Sequence, residues 1–492
     1  MKKTLLILLF IVQFSFGQSY TILNQAEGRI MAFQPLYDNY DLFGYIELRE
    51  MNIDENFNVT CKYTVLDKNM NRLTTGEFSL KKLNDKQYNL HVKDLNYANG
   101  VIRVDFFHRY KYSPHTMDIP ISREVQVYAM FNIKTNEVIS SRATNPDIIE
   151  TTFKFSKKDV TTYDAFSLDS TGFLICENKR KESKKDPINQ KFYAINGIDK
   201  KIWEFNGSKV VKNHFLNYAV AYYDSDYIIL KGWLSKGNKK NDLHYLILDS
   251  KTGKEIYFSK IPINYTHKYN YAFVREHKAY LGGKYYKKDK NEFTDYDESL
   301  GIFQHIFDLK LNIDLVSKYV PYDQFKDISI NKNGKVRGEG FIDFKRTNIN
   351  PDGTFFILAE SYWEKTQYRA YNQLYTFRMD KDFNPIKTSE YDVKRTRGYK
   401  YDFSQRLPDK SGRAYFFFDK NDAKDLELNI INYYFKSKKE VIQKIAINND
   451  KSAISIFPAK EGYVGIAEYF KDPKKEGKYM EIRLEKLNFE RE

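Results

Sequence analysis

The stretch LILDSKTGKEIYF, residues 246–258, reads as a strand, a tight turn and a second strand, and it is one of a series. YTVLDKNMNRLTTGEF (63–78), YAMFNIKTNEVISS (128–141) and FYAINGIDKKIWEF (192–205) share its layout, as do IFDLKLNIDLVSKY (306–319), YTFRMDKDFNPIKTSEY (375–391) and IINYYFKSKKEVIQKI (430–445). A shorter copy, YMEIRLEKLNF (479–489), stands near the C-terminus. Each turn carries Asp, Asn, Lys or Gly, residues that tolerate tight hairpin geometry. A recurrent hairpin restricts the chain more than any other feature, because one hairpin cannot bury both its faces alone.

A second, more apolar strand precedes most hairpins: GFLICEN (172–178), YIILKGW (227–233), AYLGGKYY (279–286), GTFFILAESYW (353–363), RAYFFFD (413–419) and GYVGIAEYF (462–470). Continuous apolar runs of this length suit strands covered on both faces. Several follow turns ending in Gly172, Gly353 or Gly412. Another strand, such as YNYAFVRE (269–276) or SAISIF (452–457), comes earlier still. The unit is therefore four strands repeated every several tens of residues, the pattern of a β-propeller. The expected fold is all-β: a single propeller of seven or eight four-stranded blades over 18–492, closed by pairing of N- and C-terminal strands. EGRIMAFQPL (27–36) is the expected closing segment, and 320–350 an inserted hairpin on one rim.

The 40 Tyr and 37 Phe in 492 residues supply the large core such a ring needs. The alternative, an outer-membrane β-barrel, requires strands alternating apolar and polar, each about 10 residues long. The continuous apolar strands here break that alternation.

The N-terminus predicts export. Lys2 and Lys3 precede an apolar run from Leu5 to Phe16, and Ser15 and Gly17 set a cleavage site that leaves Gln18 first. This is the layout of a signal peptide over 1–17, and the run is too short to cross a bilayer, which takes about 20 residues. The expected location is the periplasm or cell surface of a Gram-negative bacterium, with no transmembrane span after cleavage and a monomeric state. An oxidising compartment would let Cys61 and Cys176 pair, but they fall in separate repeats, and free buried thiols are the expectation. A formal charge of +14 comes from scattered lysines, which reads as a solvated surface, and export argues against nucleic acid.

Chemical motifs are sparse. The eight histidines show no zinc spacing, so no metal and no cofactor are expected. DKNMN (67–71) opens like a calcium loop but has Arg72 and Phe78 where that loop needs Gly and Glu, so a hairpin turn is expected. EFTDYDES (292–299) reads as an acidic loop. SLDSTGF (167–173) loosely resembles the Asp-box turn of sialidase-like propellers, with an extra residue before Gly172. The apolar strands end in aromatics at similar places, and Trp233, Tyr285, Tyr362 and Trp363 are the candidate ligand-binding residues; packing between blades gives the same pattern.

In plan the chain resembles exported bacterial β-propeller repeat proteins, many of unassigned function. The resemblance is architectural and implies a binding or scaffolding protein of the envelope. Its partner would be a protein or polysaccharide held at one rim of the ring. The alternative is a carbohydrate-active hydrolase or lyase with its active site in the central funnel.

Overall fold

The structure is a computed structural model. It describes residues 19–22, 28–38, 41–56, 58–81, 89–109, 124–143, 161–179, 189–207, 209–211, 214–236, 239–260, 264–288, 298–364, 369–393, 399–419, 425–448, 452–472 and 480–489. The leader and its cleavage site lie outside these residues, as does most of the acidic loop 292–299. Among the described residues no helix is long and apolar enough to cross a membrane.

The strands form eight separate antiparallel sheets, seven of them running in sequence order from an inner to an outer strand. They are the eight blades of a β-propeller: blade 1 (29–81), blade 2 (89–143), blade 3 (161–206), blade 4 (209–260), blade 5 (265–321), blade 6 (335–391), blade 7 (399–448) and blade 8 (452–486). Eight sheets rather than one continuous sheet exclude the barrel. Blades 4 and 6 carry a fifth, innermost strand, Lys209–Val211 and Lys335–Val336.

Eight buried clusters hold the ring together, and each spans one seam between adjacent blades. Between blades 6 and 7, Phe356 stacks on Tyr415 at 4.9 Å and on Tyr433 at 4.5 Å. The abundant aromatics thus fill seams, where burying each large side chain is worth roughly 1.5–3 kcal/mol. Cys61 and Cys176 are free and buried in different clusters, and burial pushes both thiols up to about 12.

The ring closes as expected, but with a different segment. Ser19–Ile22 pairs antiparallel with Met480–Lys486, Ser19 opposite Arg483, and becomes the outer strand of blade 8. The expected closing segment, 27–36, instead falls largely in Arg29–Asp38, the inner strand of blade 1. SYTI is too short to announce itself beside an apolar leader. The eighth seam is then sealed by Tyr45, Leu66 and Met70 of blade 1 against Phe457, Met480 and Ile482 of blade 8.

One face of the ring is built from repeated turns. In blades 1 to 6 the third-to-outer hairpin begins with Asp67, Asn132, Asn196, Asp249, Asp308 or Asp380. In each, the side-chain Oδ1 accepts main-chain N–H groups two to four residues on. A left-handed residue follows in blades 1 to 7: Met70, Asn136, Asp199, Gly253, Asn312, Phe383 and Lys438. A bulge then follows in blades 1 to 6, the usual geometry of a short hairpin loop with an αL residue. DKNMN is such a turn. The second-to-third and outer-to-inner connections leave the opposite face and vary widely, from the turn Asp54–Asn58 to 110–123 and 144–160, which lie outside the described residues.

Candidate functional site

Blade 6 gathers the side chains of interest where its strands meet the variable face. Gly340–Ile349 descends from that face, Phe355–Glu364 climbs back to it and Arg369–Met379 leaves it again. The extra strand Lys335–Val336 pairs with Phe341 and Gly340 on the channel side. Gly340 lets its strand approach Phe355–Glu364 closely on the other side. Its φ is +90°, and a Cβ there would lie 2.1 Å from the Tyr362 carbonyl oxygen, so any side chain would clash.

Of the sequence candidates, Tyr285 and Tyr362 are buried, at 4% and 1% exposure. Tyr285 packs on Tyr265 at 4.9 Å and Tyr319 at 5.2 Å, and its hydroxyl is pushed up to about 12, mainly by burial. Tyr362 lies beneath Arg369, whose Cζ is 4.4 Å from the ring centre. Trp363 is half-buried at the rim, with Lys335 Nζ 4.9 Å from its ring and 5.9 Å from that of Phe341. The side chain of Trp233 is outside the description; its backbone pairs with Asn217 and Leu243 in blade 4. The structure therefore brings Tyr362 and Trp363 into one neighbourhood and leaves Tyr285 in blade 5.

One layer below the rim is a charged cluster. Lys345 is the residue skipped at a bulge between Phe344 and Arg346, and bulges re-aim side chains. Its Nζ lies 2.8 Å from both Asp343 Oδ2 and Glu360 Oε2 and donates to Tyr371 Oη at 3.2 Å. Tyr371 Oη in turn donates to Asp343 Oδ2 at 3.4 Å. From blade 5, buried Lys284 donates to the Ile342 carbonyl.

Burial disfavours each charge, and the partners decide the outcome. Glu360, with no exposed surface, is pushed up to about 7 by burial in spite of Lys345. Asp343 stays below the usual carboxylate range because Lys345 and Lys284 outweigh its burial. The two carboxylates outweigh the burial of Lys345 and hold it above the ordinary lysine value. Near neutrality Asp343 is ionised and Glu360 is poised between its two forms. These are the charge states of an acid–base pair, but Glu360 is sealed behind Lys345 and cannot touch a substrate.

Buried histidines in blade 5 form a second polar nest. His267 bonds Tyr319 Oη at 2.9 Å and His305 bonds Ser317 Oγ at 2.9 Å. Burial, the largest cause, lowers them to about 3 and about 4, so both are neutral in ordinary solution. Among the described residues no group of three or more His, Cys, Asp or Glu is placed to hold a metal. Sequence reasoning missed the Lys345 cluster; its one visible trace is Glu360, a lone charge inside the apolar run GTFFILAESYW.

A profile described as a family of unknown function (DUF6770) matches residues 366–488, from the third strand of blade 6 to blade 8. No curated protein matches the chain in sequence. Among solved structures it is similar to the WD40 domain of SCAP from fission yeast: 10% identity, 95% of this chain and 98% of that one, TM-score 0.41. It is also similar to a quinohemoprotein alcohol dehydrogenase from Pseudomonas putida HK5, at 11% identity over 97% and 76% of the two chains, TM-score 0.45. A third is the β-propeller domain of the Trilobed protease from Pyrococcus furiosus, at 11% identity over 82% and 96%, TM-score 0.35.

Proposed function

We propose that the protein is an exported binding or scaffolding component of the bacterial envelope that recognises a protein or glycan through its variable face. The observation that carries this reading is the contrast between the two faces. One carries near-identical Asx turns in blades 1 to 6, closed on themselves; the other bears connections that differ from blade to blade. Variable loops on a rigid scaffold are where recognition is built. The half-buried Trp363 and its cationic neighbour Lys335 stand on that same face.

Export is supported by the leader pattern of 1–17. The closing strand begins at Ser19, just beyond the expected cut, so cleavage would leave it whole. The funnel enzyme is less favoured, because the carboxylate best placed to hold a proton is wholly buried.

The test compares one variant on each face, Trp363→Ala on the variable face and Lys251→Ala on the turn face. Both would be measured for binding to a glycan library and to purified envelope polysaccharide. Loss of binding in the first alone supports the reading, and loss in the second alone sinks it. Turnover of any glycan by the purified protein would replace it with the enzyme.

A further inference from the structure

We infer that the rim of blade 6 binds a carboxylate-bearing sugar, a uronic acid unit of an acidic polysaccharide; this rests on the rim reading above and names its ligand class. Two features converge there. Trp363 stands half-buried at the end of a buried strand, and an indole is the kind of side chain on which the C–H face of a pyranose ring packs. Lys335, on the extra strand nearest the channel, places its ammonium 4.9 Å from that ring and 5.9 Å from Phe341. Among the described residues no carboxylate pairs with it. A cation held only by ring faces keeps its hydrogen-bond donors for an incoming anion.

Arg369 lies over Tyr362 and makes a 3.2 Å contact with the exposed Glu364. Lys345 lies below, between Asp343 and the sealed Glu360, and Lys284 donates to the Ile342 carbonyl. A neutral sugar would gain the stacking alone, whereas a uronate adds a charge-assisted bond to Lys335. An acidic peptide could use the lysine but has no rigid ring to lie on Trp363.

The probes are oligosaccharides of polygalacturonate, alginate and a glucuronate-containing glycan, each beside its carboxyl-reduced neutral form, titrated calorimetrically. At least one uronate should bind, about tenfold or more tighter than its reduced form, with affinity falling as salt rises. Lys335→Met should erase that preference without changing the melting temperature. Trp363→Ala should lose both forms, and Trp363→Phe should keep most binding, which guards against simple misfolding.

Equal binding of a reduced form, indifference to Lys335→Met, or no binding to any of the three uronates overturns the acidic-sugar inference. If a neutral glycan or a protein still binds in a Trp363-dependent way, the rim reading stands without it. Binding that survives Trp363→Ala overturns both.

Discussion

Gln190, in the third strand of blade 3, hydrogen-bonds the main chain of Tyr218 in blade 4 twice. Its Nε2 donates to the Tyr218 carbonyl at 2.9 Å, and the Tyr218 N–H donates to its Oε1 at 2.7 Å. Gln126 does the same for Tyr163 one seam earlier, at 3.1 and 2.6 Å. The inner strand of blade 3 has no sheet neighbour on its channel side, and in blade 4 the extra strand stops pairing at Leu216. The glutamine amide stands in for the missing strand.

Removing that amide should loosen a seam. Gln190→Leu keeps the volume but strands a buried N–H and a buried C=O, each costing about 1–3 kcal/mol when unmet. We expect a loss of about 2–4 kcal/mol in chemical denaturation, with a similar loss for Gln126→Leu. Stability within 0.5 kcal/mol of the parent would show that water replaces the amide freely.

The buried acid and the buried histidines should pull the pH profile in opposite directions. Glu360 has a raised folded pKa, about 7 against 4.5. Its stabilisation is therefore full below the unfolded value and is lost as pH rises from about 4.5 to 7, on the order of 3 kcal/mol. His267 and His305 have lowered folded pKa values. Their stabilisation is present above the unfolded value near 6.5 and is lost as pH falls through it toward 4. Thermal melts across pH 4–8 should show Glu360→Gln gaining most at pH 8, and His267→Gln weakening the acid-side loss. An unchanged profile in both variants would rule out these charge states.

Left-handed positions should answer to their burial. Lys410, at φ 61° in the first turn of blade 7, is exposed, so Lys410→Gly should stabilise by roughly 1 kcal/mol by relieving the Cβ clash. Phe383 has nearly the same φ, 59°, but its ring is buried 5.2 Å from Phe355. Phe383→Gly should therefore destabilise by about 2–4 kcal/mol, less whatever strain is released. Two substitutions of the same sign would contradict this division.

Deleting Ser19–Ile22 should uncover the edge of Met480–Lys486. Bare strand edges invite association, so sedimentation should show oligomers and the melting temperature should drop. A clean monomer with the parent's melting curve would show that blade 8 does not need its fourth strand.

Much of this architecture was legible in the sequence, because hairpin turns and both-face burial are local signals. Asp67, Asn132 and Asp249 mark turns by residue type alone, and Phe355 to Ala359 reads as a covered strand by unbroken hydrophobicity. The rest depends on neighbours distant in sequence. Tyr285 and Tyr362 were visible as an aromatic column, but their burial is set by adjacent strands and blades. Lys345 and Glu360 belong to different strands, and nothing in either segment names the other. Gln126 and Gln190 did leave a trace, since they stand at the same offset before the turn residues Asn132 and Asn196. Reading that offset as a seam needs the ring first.

The eighth seam has a temporal meaning. Tyr45 donates to the Pro458 carbonyl at 3.2 Å across 413 positions of chain, and Ser19–Ile22 waits for Met480–Lys486. Because synthesis runs from the N-terminus, the first of the described strands to be made is paired by the last of them. For the duration of its production the nascent chain carries an unmatched strand and an unclosed circle. The latch can set only once Met480–Lys486 has been made, so closure of the ring reports that synthesis has passed blade 8.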